Sequence, residues 1–208
     1  MKTILDPSRG ENKILILDFE DSFTFNIAES FLNLGLSSTV STVGDFPLNL
    51  KKFIDSGKKF VLVLGPGPGH PKDYDQLIPL IKTALDSFSI FNLGVCLGHQ
   101  IYLRQFGHSI RKSEKPIHGQ AREIVIPDWL KSDKGEKFSV QFYNSLIVEE
   151  NSNVISKELD TYAIEGEILI AKGERFLSYQ FHPESIGTSC PDVFLTPARD
   201  FLYNNSDE

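Results

Sequence analysis

The chain has 208 residues, of which 40% are hydrophobic and 24% charged, and its formal net charge is -7 at pH 7. This length suits one sizeable α/β domain with a single core, and the composition is globular rather than disordered. The negative charge argues against binding to nucleic acid or to anionic membranes, because both rely on clustered Lys and Arg. We therefore expect a small soluble substrate.

The N-terminal residues and the apolar runs indicate the cellular compartment of the protein. No apolar run approaches the roughly 20 residues of a transmembrane helix, and residues 1–7 lack the apolar core of a signal peptide. We expect a cytoplasmic protein with an N-terminal extension at residues 1–12 and a single domain at residues 13–204. The two cysteines, Cys96 and Cys190, give no support to a disulfide framework.

The first half of the chain alternates apolar runs with amphipathic segments. Strands are predicted at residues 13–18, 38–43, 60–64 and 89–93, and helices at 23–34, 73–86 and 98–106. Ser22 is the predicted N-cap of the first helix, and Gly35 its end. This alternation predicts an α/β fold with a doubly wound, mainly parallel, flavodoxin-like sheet. Ligands should then bind beyond the carboxyl ends of the strands, at loops 19–22, 65–71 and 94–98.

The second half of the chain consists mainly of short β-rich runs. They lie at residues 121–126, 138–143, 146–149, 167–171 and 176–181. We predict that these strands extend the same sheet in antiparallel fashion. A last helix is predicted at residues 192–204.

Residues 94–98, with the sequence GVCLG, have the Gly-x-nucleophile-x-Gly form of a strand-to-helix elbow. A lone cysteine is more often a small buried apolar residue, so Cys96 needs this context to count as reactive. Flanking glycines relieve crowding at a sharp turn, and the N–H groups of the following helix favour a thiolate. The same N–H groups can stabilise an oxyanion, so Cys96 is a candidate nucleophile.

A thiol nucleophile needs a base, and His182 is the best candidate among the five histidines. His99 begins the same helix as Cys96, whereas His182 follows a predicted strand. Glu184 lies two residues further on and can hold the imidazole in its useful tautomer. The alternative for the two residues is a surface charge pair in a turn. A zinc site is the alternative for the Cys and His residues, but their spacing does not match that of paired zinc ligands.

The Gly/Pro-rich run at residues 65–71, GPGPGHP, follows a predicted strand. Its simplest interpretation is a tight loop. Its functional interpretation is a backbone surface that a ligand can approach closely, with the prolines limiting the freedom lost on binding. The run lacks the Lys and Ser/Thr of a phosphate-binding P-loop, so we do not predict a nucleotide site.

Together, residues 94–100, 65–71 and 180–185 resemble the three signatures of class I glutamine amidotransferases, in the family's order, and the resemblance covers roughly residues 13–188. It implies that Cys96 attacks the side-chain amide of glutamine, with His182 as general acid/base and Glu184 as its orienting partner. It also implies an oxyanion hole and a glutamine-binding set. The oxyanion hole comprises the N–H groups of Gly67 and Leu97, and the binding set Gly67, Pro68, Gly69, Gln100, Ser145 and Leu146. No metal or organic cofactor is implied.

Two further stretches point to a subfamily. Residues 21–26, DSFTFN, are similar to an element of the glutaminase components of anthranilate synthase and aminodeoxychorismate synthase, and residues 117–120, IHGQ, resemble their His-Gly-Lys element. The resemblance implies a separate subunit that passes ammonia to a chorismate-using synthase, for tryptophan or folate biosynthesis. The plain interpretations are an N-capped helix and a turn.

The sequence departs from the family pattern at two positions and leaves three rival functions open. Asn144 replaces the histidine of Tyr-His-Ser-Leu, and Gly65 replaces the serine of Ser-Pro-Gly-Pro-Gly. Neither change removes a triad residue, so we expect effects on packing or partner coupling. The rivals are a glutaminase of GMP-synthase type, a free-standing γ-glutamyl hydrolase and a catalytically silent regulatory subunit.

Overall fold

The structure is a computed structural model that describes residues 2–4, 13–130, 135–150 and 159–204. The strands there are β1 (Lys2–Ile4), β2 (Ile14–Asp18), β3 (Ser38–Thr42), β4 (Phe60–Leu64), β5 (Ile90–Val95), β6 (Ile110–Lys112), β7 (Gln120–Val125), β8 (Lys137–Phe142), β9 (Leu146–Val148), β10 (Asp160–Ile164), β11 (Glu167–Gly173) and β12 (Phe176–Tyr179). The α-helices are α1 (Thr24–Asn33), α2 (Phe46–Asp55), α3 (Ile78–Leu85), α4 (Leu97–Gln105) and α5 (Pro191–Tyr203). A 3-10 helix at Pro71–Leu77 leads into α3.

The main sheet has eight strands in the order β1-β3-β2-β4-β5-β12-β11-β10. Strands β3, β2, β4, β5 and β12 are mutually parallel, and β1, β11 and β10 add antiparallel pairs at the two sides. The predicted α/β fold with a mainly parallel sheet is therefore confirmed. Because consecutive parallel strands end at the same edge, the loops after β4, β5 and β12 lie side by side.

Two layers of helices cover the sheet, and the alternation of side chains along the strands divides the core between them. In β2, Ile14 and Ile16 pack into the cluster that includes Ile27 of α1 and Phe194 of α5. Leu15 and Leu17 point to the opposite cluster, with residues of α2, α3 and α4. Both faces of the central strands are thus buried, which accounts for their continuous apolar sequences.

Several element predictions need correction. The strands at 121–126, 138–143 and 146–149 do not extend the main sheet: β7 pairs with β8, and β6 with β9, in two separate two-stranded sheets. The strand predicted at 176–181 is parallel to β5 rather than antiparallel. The short β-rich runs do not indicate which strands pair with one another.

Three helices also differ from their predictions. The helix predicted at 73–86 begins as a 3-10 turn, since Tyr74 leaves the helical region, and becomes α-helical only at Ile78. Phe23, not Ser22, occupies the N-cap position of α1, whereas Gly35 does follow the helix with a φ of 83°. Helix α2 was not predicted.

Neither a membrane span nor a metal cluster is found in the part of the chain that the structure describes. None of the helices there is long and apolar enough to cross a membrane. No group of three or more His, Cys, Asp or Glu side chains within the same residues is arranged to hold a metal ion.

Candidate active site

Cys96 occupies the sharp turn between β5 and α4. Its φ of 53° and ψ of -102° lie outside the regions that a non-glycine residue normally adopts. Such a conformation costs about 1–3 kcal/mol and persists only where its surroundings impose it. Here the Cys96 N–H donates to the Tyr179 carbonyl oxygen at 2.8 Å, and the Cys96 carbonyl oxygen accepts from the Gln100 N–H at 3.1 Å. The chain therefore holds the thiol at the end of β5 by a strained elbow.

The glycines on either side of Cys96 allow the close packing of this elbow. A Cβ on Gly98 would overlap the carbonyl group of Leu64 at the end of β4. A Cβ on Gly94 would lie 2.9 Å from Cδ2 of Tyr102 and 3.0 Å from the backbone of Gly98. The Gly-x-Cys-x-Gly pattern is thus explained by contact between α4 and the strands.

We expect the Gly98→Ala variant to lose about 3 kcal/mol in its free energy of unfolding, because the new methyl group meets rigid backbone. Gly44→Ala is the matched control, since a Cβ at that position meets nothing within 4 Å. Urea denaturation of both variants and the unsubstituted protein measures the difference. Equal stabilities for the two variants would contradict the packing argument.

His182 and Glu184 lie beyond the carboxyl end of β12, next to β5 in the sheet. His182 Nδ1 and Glu184 Oε1 are 2.7 Å apart, and their side chains are 2% and 0% exposed. The other ring nitrogen, Nε2, is buried and forms no hydrogen bond of normal geometry with the described residues. Cys96 is nevertheless close enough to contribute to the titration of His182. The structure thus brings the three predicted triad residues together.

The charge state of His182 is set by two opposing effects. Burial, the largest influence, lowers the pKa of His182, but the Glu184 carboxylate and Cys96 outweigh it and hold the pKa well above the usual value. A carboxylate bound to Nδ1 also fixes the tautomer and directs Nε2 away from itself. The arrangement can therefore store a proton on His182 beside the thiol.

Two aromatic rings pack against the imidazole. The ring centroid of Phe23 is 5.1 Å from that of His182, and the Tyr143 centroid is 4.9 Å from it. Phe23 is brought there by a tight loop in which its N–H donates to Asp21 Oδ1 at 2.8 Å. The hydroxyl group of Tyr143 is 3.2 Å from Ser185 Oγ. Residues 21–26 thus do more than begin a helix, because they place a ring over the candidate base.

His99 is excluded as the base by its position. It is fully buried, with Nδ1 2.8 Å from Ser178 Oγ and Nε2 3.0 Å from the Ile168 carbonyl oxygen. Burial lowers its pKa to about 3. Both ring nitrogens already have hydrogen-bond partners, and the ring stays neutral near pH 7. His99 therefore links α4 to β11 and β12 by hydrogen bonds.

The predicted oxyanion groups lie on adjoining backbone segments. A Cβ on Gly67 would overlap Phe19 and lie 2.8 Å from Cδ2 of Leu97, so these two segments are in contact. Among residues 13–130, 135–150 and 159–204, no hydrogen-bond acceptor meets the backbone N–H of Gly67 or of Leu97. Two free N–H groups beside the elbow can bind a developing negative charge.

Two of the predicted glutamine-binding residues, Gln100 and Leu146, are joined by a hydrogen bond close to Cys96. Gln100 Nε2 donates to the Leu146 carbonyl oxygen and to Gln180 Oε1, each at 3.1 Å. The Ser145 carbonyl oxygen accepts from Ser113 N–H at 2.9 Å. Pro68 and Gly69 lie in the Gly/Pro loop, where the Tyr74 hydroxyl donates to the Pro68 carbonyl oxygen at 3.3 Å.

The two departures from the family pattern have local structural accounts. Asn144 is buried, and its Nδ2 donates to the Leu146 carbonyl oxygen at 3.0 Å and to Glu167 Oε1 at 3.1 Å. Burial raises the pKa of Glu167. The Gly65 carbonyl oxygen accepts from the Gly98 N–H at 3.1 Å, which joins the loop to α4. Asn144 therefore supports the segment that contacts Gln100.

Sequence reasoning missed three residues around the triad, namely Phe23, Tyr143 and Gln180. Phe23 and Tyr143 stand inside motifs that were assigned to other roles, and Gln180 is the first letter of the motif around His182. The structure places both rings on His182 and the Gln180 amide between Cys96 and Gln100. The sequence signal that could have identified these three residues is their position within the motifs that resemble family signatures.

A buried thiol on a strained elbow, a carboxylate-bound histidine beyond the neighbouring strand and two free N–H groups form an arrangement in which a thiolate can attack an acyl carbon. Comparison with known proteins identifies the family. The family model described as "Glutamine amidotransferase class-I" matches residues 15–196. The chain belongs to the class-I glutamine amidotransferase family and is a glutaminase-type enzymatic subunit.

Individual proteins of known name are similar to this chain over most of its length. The chain is 31% identical to anthranilate synthase component 2 of Haemophilus influenzae, over 92% of this chain and 98% of the relative. It is 34% identical to the pyocyanine-specific anthranilate synthase component 2 of Pseudomonas aeruginosa, over 85% and 88% of the two chains. A glutamine amidotransferase from Thermotoga maritima, known from its crystal structure, has a TM-score of 0.58 at 15% identity, covering 95% of this chain and 86% of that one. The last match shows the fold alone.

Proposed function

We propose that the protein is the glutaminase subunit of anthranilate synthase, which hydrolyses glutamine through Cys96, His182 and Glu184 and passes the ammonia to a chorismate-using synthase. The observation that carries the chemistry is the buried contact of 2.7 Å between His182 and Glu184 beside the strained thiol of Cys96. The choice of anthranilate synthase as the partner rests on the similarity to anthranilate synthase components.

The residues can perform each step of the hydrolysis. The Cys96 sulfur attacks the side-chain amide carbon of glutamine, and the carbonyl electrons move onto oxygen, where the N–H groups of Gly67 and Leu97 can receive them. Protonated His182 gives its proton to the leaving nitrogen as the C–N bond breaks, which releases ammonia and leaves a γ-glutamyl thioester. His182 then takes a proton from water as the water oxygen attacks the thioester carbon. Collapse releases glutamate and restores the thiol.

Gln100 is suited to hold the substrate because its orientation is fixed. Both hydrogens of its Nε2 are donated inside the protein, to Leu146 and Gln180. The amide oxygen is therefore the end of this side chain that can accept a hydrogen bond from a bound amino acid. Leu146 adjoins Gln100 directly, and we propose that Ser145, Pro68 and Gly69 contribute their backbone groups to the same ligand.

A fully exposed apolar residue supports docking of a partner at the active-site edge. Ile186 follows Glu184 by two positions and is completely exposed. A single exposed apolar side chain is ordinary on a protein surface, but one beside the triad suits a synthase that receives ammonia directly from the site. We expect Ile186→Asp to weaken association with the synthase by about 10- to 100-fold, because a charge would replace an apolar contact.

Calorimetry or sedimentation with the cognate synthase measures that association. Phe88→Asp is the matched control, since Phe88 is 77% exposed and precedes β5 at the opposite edge of the sheet. Equal loss of affinity in the two variants, or none in Ile186→Asp, would place the interface elsewhere.

The function itself is tested by product analysis. The protein is mixed in turn with an anthranilate synthase and an aminodeoxychorismate synthase large subunit, each supplied with glutamine and chorismate. Glutamine-dependent anthranilate is the expected product. Aminodeoxychorismate alone would move the protein to the folate branch, and glutamine hydrolysis unaffected by either synthase would favour a free-standing hydrolase.

A further inference from the structure

The side-chain amide of Gln180 lies between the candidate nucleophile and the candidate substrate-binding residue. Gln180 follows β12 directly and is fully buried. Its Nε2 donates to Cys96 Sγ at 3.8 Å, and its Oε1 accepts from Gln100 Nε2 at 3.1 Å. One planar group thus touches both residues, using its donor toward sulfur and its acceptor toward nitrogen.

The backbone around Gln180 leaves this amide little freedom. The Gln180 N–H donates to the Leu169 carbonyl oxygen of β11 at 2.9 Å. The carbonyl oxygen of the preceding residue, Tyr179, accepts the Cys96 N–H at 2.8 Å. The side chain therefore leaves a backbone that is bonded to β11 on one side and to the elbow on the other.

We propose that Gln180 is a positioning residue that stabilises the Cys96 thiolate through its N–H and fixes the orientation of Gln100 through its carbonyl oxygen. The proposal rests on the proposed function for its effect on glutamine, although the contact with sulfur is independent of any substrate. Gln180 makes no step of the reaction itself and acts through its two neighbours.

The chemistry of the two contacts makes them separable. An N–H directed at sulfur favours the charged thiolate over the neutral thiol. The bond to Gln100 occupies one of its two amide hydrogens, and without it the Gln100 amide could rotate and offer nitrogen rather than oxygen to a ligand. Loss of the first contact should lower thiol reactivity, and loss of the second should weaken glutamine binding.

Two substitutions separate the contacts. Gln180→Met has a similar length and removes both hydrogen bonds. Gln180→Glu keeps an oxygen for Gln100, but when ionised it presents a second oxygen, instead of an N–H, to sulfur. When protonated, the carboxyl group has one acceptor and one donor, as the amide does. The Glu variant should therefore regain function as the pH falls.

The first measurement is the rate of Cys96 alkylation by iodoacetamide as a function of pH, on the protein alone. We expect the profiles of both variants to move to higher pH, with rates at pH 7 about 10-fold below that of the unsubstituted protein. Cys190 is exposed and would react as well, so a Cys190→Ser background is used throughout. An unchanged alkylation profile in both variants would overturn the contact with sulfur.

The second measurement is steady-state glutamine hydrolysis by the complex with the synthase. Gln180→Met should raise KM for glutamine and lower kcat, with kcat/KM about 10- to 100-fold down. Gln180→Glu should keep KM within about 3-fold while lowering kcat at pH 8 more than at pH 6. A KM unchanged in Gln180→Met would overturn the link to Gln100.

A matched pair at another buried amide controls for loss of stability. Asn49 is 4% exposed in α2, and its Nδ2 donates to Ser41 Oγ of β3 at 2.9 Å, away from the elbow. Asn49→Leu and Asn49→Asp should lower the free energy of unfolding without moving the alkylation profile. If they shift that profile as the Gln180 variants do, the proposal fails. If no synthase supports glutamine hydrolysis by the unsubstituted protein, the proposed function fails while the alkylation result stands by itself.

Discussion

Replacing Cys96 by alanine is expected to lower glutamine-dependent synthesis by the complex at least about 10³-fold, because the substitution removes the proposed nucleophile that forms the thioester. Ammonia-dependent synthesis should stay within about 2-fold of the unsubstituted complex, since ammonia bypasses the hydrolysis step. Product formation is followed with glutamine or with an ammonium salt as the nitrogen source. The two sources thus separate loss of the nucleophile from loss of the complex.

Cys190→Ala is the matched control for this experiment. Cys190 precedes α5 and is exposed, whereas Cys96 is buried beside His182. The control should retain both activities. Glutamine-dependent synthesis that persists in Cys96→Ala would remove this residue from the mechanism, and loss of both activities would indicate that the substitution disrupts the complex.

Replacing His182 by glutamine is expected to have an effect of similar size, at least about 10³-fold on glutamine-dependent synthesis, because the proposed mechanism passes both proton transfers through its ring. Glu184→Gln keeps a hydrogen-bond acceptor near Nδ1 but removes the charge, and a loss of about 10²- to 10⁴-fold is expected. Ammonia-dependent synthesis should persist in both variants. Full glutaminase activity in His182→Gln would show that another residue acts as the base.

The contact between His182 and Glu184 also predicts how the pKa of His182 changes when Glu184 is replaced. The carboxylate of Glu184 is the largest of the influences that raise the pKa of His182, so Glu184→Gln should release the imidazole proton at lower pH. A histidine whose pKa is raised on folding stabilises the folded state while protonated, and this contribution is lost as the pH rises through the folded pKa. NMR titration checks the midpoint, with the His182 signal assigned by its absence in His182→Gln. An unchanged midpoint would contradict the role of Glu184.

The parallel part of the fold could be predicted because its strands are buried on both faces. Continuous apolar runs such as residues 60–64 are typical of central parallel strands when they alternate with amphipathic helices along a chain. Helix α2 was missed although Phe46, Leu50 and Phe53 recur at helical spacing and Pro47 stands in its first turn. The pairing of β6 with β9 and of β7 with β8 depends on tertiary contacts, which short β-rich runs do not encode.

The site could be predicted as far as its chemistry is local in sequence. The elbow at Cys96 and the pair His182–Glu184 each lie within a few residues, so a motif can describe them. The contacts of Phe23 and Tyr143 with His182 join three separate segments of the chain. Such contacts are fixed by strand order rather than by spacing, and only the folded structure reveals them.

The neighbouring positions of β5 and β12 have a consequence for how this enzyme changes over evolutionary time. Cys96 and His182 are separated by most of the second half of the chain, yet one parallel strand pair sets their spacing. The hairpin β7–β8 is formed by the intervening sequence and belongs to a different sheet. The Gln141 carbonyl oxygen of β8 accepts from the His182 N–H at 2.9 Å, so this hairpin is anchored at the candidate base. Sequence changes elsewhere between the two residues can accumulate while the strand pair keeps Cys96 and His182 in place.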